Sequence, residues 1–192
     1  MQPINVYLSV DIDYFNNRKR STILAQFIEL GKRVGMTVVG DHQNLLPTVN
    51  KTKGRIHLIN VDLHSDLCYL GTDPNRSIKR AGCGDWVNYT DIKRQYRFTW
   101  VHPTRGFFHC GMCRNDRVKT SDNATWQRCE FTTALPTAWK TATFVGLCLS
   151  EDYVRELSPS VVKLIRAIPR KYFTENGLDH LSKYDSQIKN WL

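Results

Sequence analysis

The feature that most constrains the fold is a series of short apolar runs, each followed at once by acidic or histidine residues. Residues 4–10, 37–39 and 55–61 are apolar and rich in β-branched side chains, which predicts three buried strands. The motifs D-I-D, G-D-H and D-L-H-S-D follow these runs. In an open α/β sheet, sites form where strands end, so these motifs stand where a site is expected.

Helical patterns alternate with the strands. Residues 21–34 carry apolar side chains at helical spacing, and Gly35 follows as a stop. The other predicted elements are strands at 97–101 and 143–149 and helices at 158–168 and 184–192. Residues 104–139 show no regular pattern, and Pro47 is expected in a loop or turn. The alternation predicts one domain over residues 1–192, with a three-layer α/β/α fold and a mainly parallel sheet.

The composition is that of an ordinary globular protein, with 41% hydrophobic and 23% charged residues. No apolar stretch reaches the length that spans a membrane, so no membrane partner is expected. The first residues, MQPINVYLSVD, lack the basic region and the small-residue cleavage site of a signal peptide. We therefore expect a cytoplasmic protein whose six cysteines are mostly reduced.

The formal net charge of +9 raises the question of a nucleic-acid or acidic partner. The basic residues are spread along the chain, and no zinc-finger, helix-turn-helix or RNP pattern accompanies them. A solvated basic surface explains this distribution equally simply. Nucleic acid is therefore a possible partner but not the favoured one.

Six side chains in the three motifs are of the types that bind divalent metals. They are Asp11, Asp13, His42, Asp62, His64 and Asp66. Carboxylates mixed with imidazoles bind manganese, iron or zinc, and two such ions together can activate a water molecule. In D-L-H-S-D the donors occupy alternate residues, which would point them to one side if the strand stays extended. Each motif alone also fits a solvated turn, but the three together predict a two-metal hydrolase.

The motifs resemble those of the arginase and ureohydrolase superfamily, whose members carry a G-G-D-H turn, a D-A-H-x-D strand end and an S-F-D-x-D strand end. The corresponding segments here are residues 40–42, 62–66 and 9–13. In arginase the D-x-D motif comes last, whereas here it comes first. This order is similar to that of a divergent arginase-like family that includes the peptide arginases. The similarity covers roughly residues 6–103 and, more faintly, 147–153.

The resemblance implies an arginase-like, shortened fold with a binuclear manganese site, zinc or iron being possible. His42, Asp62, Asp66 and Asp11 would hold one ion, and His64 and Asp13 would complete the second, with Asp62 and Asp11 bridging. It also implies hydrolysis of a C–N bond in a guanidinium group by a metal-bridging hydroxide. The substrate would be a small arginine-like molecule or a peptidyl-arginine.

The chain lacks the G-N-x-H-G motif that carries the proton-shuttle histidine of arginase. His102 or His109 could take that role, and we select His102 because it follows the strand predicted at 97–101. Glu151 follows the strand at 143–149 and could bind substrate, as a late acidic residue does in arginase. It could equally stand in the first turn of a helix.

Alternative interpretations remain open. The chain could be a non-catalytic arginase-like module that binds a protein or nucleic acid through its basic surface. A phosphotransfer hydrolase with Asp11 as nucleophile is a weaker alternative, because it leaves D-L-H-S-D unexplained. Asp41 could orient a metal ligand or only shape a turn. The pair Cys110 and Cys113 could bind zinc with Cys83, Cys129 or His109, although only one C-x-x-C pair is present.

Overall fold

The computed structural model describes residues 3–15, 21–51, 53–67, 84, 86–102, 128–150 and 157–189. These residues form a sheet of six parallel strands in the order β2-β6-β1-β3-β4-β5. The strands are β1 (Ile4–Asp11), β2 (Met36–Val39), β3 (Arg55–Val61), β4 (Gln95–Val101), β5 (Arg128–Thr132) and β6 (Phe144–Cys148). The expected parallel α/β fold is confirmed.

Helices cover both faces of the sheet. They are α1 (Ser21–Val34), α2 (Leu46–Lys51), α3 (Pro159–Arg166) and α4 (Glu175–Lys189). Side chains of α1 and α3 share one apolar core with one face, and side chains of α2 share a second core with the other. None of the helices in the described residues is long and apolar enough to cross a membrane.

The order of the strands creates a switch point beside β1. From β1 the chain runs through α1 to β2 on one side, and then through α2 to β3 on the other side. The two connections therefore run in opposite directions across the sheet, and a crevice is expected beside β1 at the carboxyl ends of the strands. The three sequence motifs follow β1, β2 and β3, and all of them reach this crevice.

Strand alternation decides which side chains face α2. Tyr7 on β1, Leu58 on β3 and Cys148 on β6 belong to the core on that face. Because side chains alternate along a strand, the residues two and four positions after Tyr7 and Leu58 point the same way. Four polar residues near the strand ends, Ser9, Asp11, Asn60 and Asp62, therefore lie on the α2 face of the sheet.

Three elements differ from the sequence prediction. Strand β5 lies in the segment expected to be irregular, because it is an exposed edge strand without an apolar pattern. Pro47 lies in the first turn of α2 rather than in a loop. Proline is tolerated there because the N–H groups of the first turn have no partner within the helix. Helix α4 begins nine residues before the predicted start at residue 184, since Glu175 is its first residue. It includes Gly177, where a Cβ would collide with the carbonyl oxygen of Val38.

Candidate metal centre

The six predicted ligands lie together at the carboxyl ends of β1, β2 and β3. Five of them are buried, with side chains at most 4% exposed, whereas His64 is 18% exposed. They form two groups around the two histidines. The possible ligand atoms of His42, Asp62 and Asp66 lie within 4.8 Å of one another, as do those of Asp13, Asp62 and His64, so each of these sets could hold a metal ion.

The first group, here called the inner group, consists of His42 and the three carboxylates around it, those of Asp11, Asp62 and Asp66, and is closed to solvent. The Nδ1 atom of His42 lies 3.0 Å from Oδ2 of Asp66, 3.3 Å from Oδ2 of Asp62 and 3.5 Å from Oδ2 of Asp11. Three carboxylates thus converge on one imidazole nitrogen. This arrangement matches the ligand set that the arginase resemblance implies for one ion.

The second group, here called the outer group, consists of Asp13, Asp62 and His64. Nδ1 of His64 lies 3.5 Å from Oδ1 of Asp62 and 3.7 Å from Oδ2 of Asp13. Asp62 therefore turns one carboxylate oxygen toward His42 and the other toward His64. A carboxylate in this position can bridge two cations.

The backbone turns sharply after β1 and β3, and this brings alternate residues together. Oδ1 of Asp11 accepts from the backbone N–H of Asp13 at 3.2 Å, and Oδ1 of Asp62 accepts from that of His64 at 2.7 Å. These are the same local turn, made twice. Asp66 adopts a left-handed φ of 57°. The donors of D-L-H-S-D thus converge through a turn, not along an extended strand as expected, and a non-glycine residue held at positive φ is typical of functional sites.

Hydrogen bonds from neighbouring side chains fix the orientation of the ligands. The indole Nε1 of Trp86 donates to Asp66 at 2.6 Å, and the amide of Asn60 donates to the same carboxylate at 3.2 Å. The hydroxyl of Ser9 lies 3.4 Å from Nε2 of His42. If that nitrogen carries the proton, Nδ1 keeps its lone pair for a metal, as is common for metal-binding histidines. The hydroxyl of Ser150 donates to Asp11 at 2.5 Å.

These four supporting residues were not predicted. Ser9 and Asn60 could have been found, since each is a polar residue in an apolar strand, two positions before a ligand on the same face. Ser150 directly precedes Glu151, the residue for which the sequence suggested a role in substrate binding. Trp86 carries no local signal, because it lies 20 residues after its partner Asp66.

The turn that carries His42 is hydrogen-bonded to Asn176, the second residue of α4. Its Oδ1 accepts from the backbone N–H groups of Gly40 and Asp41, at 2.6 and 3.2 Å, and from the side-chain amide of Asn44. Its Nδ2 donates to the carboxylate of Asp41 at 3.2 Å. Asp41 therefore helps to fix this turn by pairing with α4.

The electrostatics of the cluster favour cations. Burial and the charge of Asp62 raise the pKa of Asp11 to about 6, and burial with three neighbouring charges raises the pKa of Asp13 well above its usual range. Burial by itself would lower the pKa of His42, but the charges of Asp66 and Asp11 outweigh it and raise that pKa to about 10. The pKa of His64 rises to about 9, because the pairing with Asp62 outweighs burial. Without cations, the acids hold protons to relieve their mutual repulsion.

Asp13 tests whether the residues fit a metal. Its carboxylate is 1% exposed, and among the described residues neither oxygen has a hydrogen bond of normal geometry. The backbone of Leu63 lowers the pKa of Asp13, but this effect is smaller than those of burial and of the neighbouring carboxylates, which raise it. The ionic contact of Asp13 with Nδ1 of His64 is 3.7 Å long, too long for a hydrogen bond. A buried polar group without hydrogen bonds costs roughly 2–7 kcal/mol, and a carboxylate costs more unless a closer cation neutralises it. The donor set therefore fits a divalent cation.

The predicted catalytic residues lie partly outside the described structure. His102 follows β4 at the same edge, and its ring packs on Trp100 with the ring centroids 4.9 Å apart. Its backbone N–H donates to Thr132 on β5. Glu151, His109, Cys83, Cys110 and Cys113 lie outside the described residues. Of the described cysteines, Cys129 is half-buried on β5 and Cys148 is buried at the end of β6.

Comparison of the chain with protein-family models, with curated proteins and with solved structures finds no match. The relation to the arginases therefore stays a prediction from the motifs quoted above.

Proposed function

We propose that this protein is a two-metal hydrolase that cleaves a C–N bond in a guanidinium group. The observation that carries the proposal is the pair of ligand groups joined by Asp62, which faces both His42 and His64. Two divalent cations held by these groups would supply an activated water molecule and stabilise negative charge on the substrate. The guanidinium and the choice of manganese rest on the resemblance to arginase, and zinc or iron remain the alternatives.

The two groups differ in access, and this difference assigns them different roles. Every side chain of the inner group is at most 4% exposed, so this group serves to fix the bridging carboxylate. The outer group is open through His64, which is 18% exposed. Substrate and water would therefore enter past His64.

His102 is proposed to pass a proton to the leaving amine. Val101 of β4 pairs with Val61 of β3, so the residues that follow them, His102 and Asp62, come at matching positions of neighbouring strands. The ring of His102 packs on Trp100, and the indole of Trp100 donates to the carbonyl oxygen of Asp62 at 3.0 Å. From these contacts we infer that the imidazole lies near the cluster, where a general acid is needed.

A hydrolysis screen tests the function. Manganese-loaded protein is incubated with free arginine, arginine-containing peptides, agmatine and acetylated amines, and release of urea or amine is measured. We expect urea from at least one guanidinium substrate, and a loss of about 100-fold or more in turnover for His102→Asn at equal metal content. Release from acetylated amines alone would overturn the guanidinium assignment.

The screen also tests the non-catalytic alternative. A protein that binds two ions, turns over no substrate and binds nucleic acid with a steep salt dependence would be a binding module. Unchanged turnover in His102→Asn would instead remove only His102 from the mechanism.

A further inference from the structure

A cysteine thiol lies among the carboxylates and the imidazole of the inner group. Cys148 ends β6, and β6 lies between β1 and β2 in the sheet. It pairs with Asp11 on one side and with Val39, three residues before His42, on the other. Its side chain is completely buried on the α2 face. The sheet order therefore puts this sulfur between two of the predicted metal ligands.

The distances place the sulfur beside two residues of the inner group, Asp11 and His42. Sγ of Cys148 and ligand atoms of Asp11 and His42 lie within 4.8 Å of one another, which makes a third group able to hold a metal. The hydroxyl of Ser150 lies 3.2 Å from this sulfur and 2.5 Å from Oδ2 of Asp11. The sulfur also lies 3.3 Å from the carbonyl oxygen of Gly40.

We propose that Cys148 is a thiolate ligand of the inner ion and that it makes this position selective for zinc or ferrous iron over manganese. The inference rests on the proposed two-metal function and specifies the metal at one of its two positions. The outer group consists of two carboxylates and one imidazole and has no sulfur. It therefore keeps the preference of oxygen-rich sites for manganese. The centre would then hold two different metals.

The chemistry of the sulfur supports this selectivity. Soft thiolate ligands favour zinc and iron, whereas manganese prefers carboxylate and water oxygens. A metal ion displaces the proton of a coordinating thiol, so the S–H bond is replaced by an S–metal bond and one proton passes to solvent. Ser150 can then turn its single hydroxyl hydrogen from Asp11 to the thiolate, since its oxygen lies near both the sulfur and Asp11.

The carboxylate of Asp13 gives further support for an ion in this cluster. It is buried and has no hydrogen bond of normal geometry among the described residues, and its ionic contact with His64 is 3.7 Å long. Hydrogen bonds within the described part of the chain therefore do not account for the whole cluster. Cys148 adds a buried sulfur donor to it.

Cobalt is the probe for the sulfur, because a cobalt–thiolate bond gives a strong near-ultraviolet charge-transfer band that oxygen and nitrogen ligands do not. Metal-free protein is titrated with Co²⁺ for the wild type, for Cys148→Ala and for the control Cys129→Ala, which removes a half-buried thiol on β5. We expect the band to be lost or strongly reduced in Cys148→Ala and kept in Cys129→Ala. An unchanged band in Cys148→Ala, with the cobalt stoichiometry preserved, would overturn the proposal.

Competition between Zn²⁺ and Mn²⁺ gives a second measurement that does not depend on activity. Cys148→Ser keeps the size of the side chain and replaces the soft donor by a hard one. We expect it to lower the preference for zinc over manganese at one of two positions by about 10- to 100-fold. Equal preferences in the two proteins would contradict the proposal while leaving the two-metal hydrolase intact. Failure of the wild type to bind any divalent ion would overturn both.

Discussion

Two buried histidines of the same sheet have opposite acid–base properties. His42 lies beyond the carboxyl end of β2, faces three carboxylates, and has a pKa raised to about 10. His57 lies within β3, contacts the hydroxyl of Thr99 at 3.0 Å, and has a pKa lowered to about 4 by burial and by the charge of Arg97. Both side chains are removed from water, so the neighbouring charges decide the difference.

The comparison separates a structural histidine from a candidate ligand. His57 can satisfy its ring by hydrogen bonding within the sheet and needs no cation. His42 is surrounded by more negative charge than one imidazolium can neutralise, and three carboxyl pKa values in the cluster, those of Asp11, Asp13 and Asp62, are raised as well. An excess of buried acid is thus the physical mark of the site, and burial of a histidine alone is not.

Replacement of Asp62 is the change with the largest expected effect. Asp62→Asn should abolish binding of both ions, because that carboxylate faces both histidines. The loss of an ion at 1,000 times its Kd removes about 4 kcal/mol from the free energy of unfolding of the metal-loaded protein. Metal analysis and thermal unfolding with and without Mn²⁺ measure both effects.

The same variant in the metal-free state provides the contrast. Burial and the charge of Asp66 raise the pKa of Asp62, so a neutral amide should relieve repulsion and leave the metal-free protein at least as stable as the wild type. His57→Gln should do the reverse, keeping the metal stoichiometry and lowering stability. A loss of metal in His57→Gln would break the distinction between the two histidines.

Removal of an orienting hydrogen bond should have an intermediate effect. Trp86→Phe deletes the donor that lies 2.6 Å from Asp66, and we expect the affinity for metal to fall by about 10- to 100-fold. Trp100→Phe is the matched control, since its indole donates at 3.0 Å to the backbone carbonyl of Asp62 and not to a carboxylate. Equal losses of affinity in both variants, measured by calorimetric titration, would show that packing rather than orientation is responsible.

The smallest effects are those of pH on the metal-free protein. The pKa of Asp11 is higher in the folded chain, about 6 against 3.8, so its contribution to stability is complete below pH 3.8 and is lost as the pH rises through 6. The pKa of His57 is lower in the folded chain, about 4 against 6.5, so its contribution is complete above pH 6.5 and is lost as the pH falls through 4.

Unfolding free energies of the wild type, Asp11→Asn and His57→Gln, measured with a chelator between pH 4 and 6.5, separate the two contributions. The stability of the wild type relative to Asp11→Asn should decrease as the pH rises. Its stability relative to His57→Gln should increase over the same interval. Parallel slopes would mean that the surroundings of Asp11 in the cluster and of His57 in the sheet do not differ as described.

The parallel sheet and the meeting of the three motifs could be predicted, because apolar runs mark strands and polar residues at their ends mark a site. The turns after Asp11 and Asp62 could not, since an extended strand explains the same spacing of donors. The residues that orient the ligands were harder to find. Ser9 and Asn60 left a signal in the strand pattern, whereas Trp86 and Cys148 reach the cluster only through the tertiary fold.

The edge strand β5 shows a different limit. Its residues are exposed or half-buried, so no apolar periodicity distinguishes them from a loop, and only pairing with β4 makes the strand. Helix α4 was placed too late because Gly177 is unfavourable in an isolated helix. In the folded protein, the absence of a side chain at Gly177 allows α4 to approach β2 closely.

From the hydrogen bonds of Asn176 we expect assembly of the site to be a late event in folding. The turn that carries His42 comes early in the chain, but its clamp is separated from Gly40 by 136 residues. Closure of so long a loop is slow compared with the pairing of local segments. A chain that is still being synthesised would contain the metal-ligating residues before Asn176 is available to bind their turn. High metal affinity would then report that the helix beginning at Glu175 has docked.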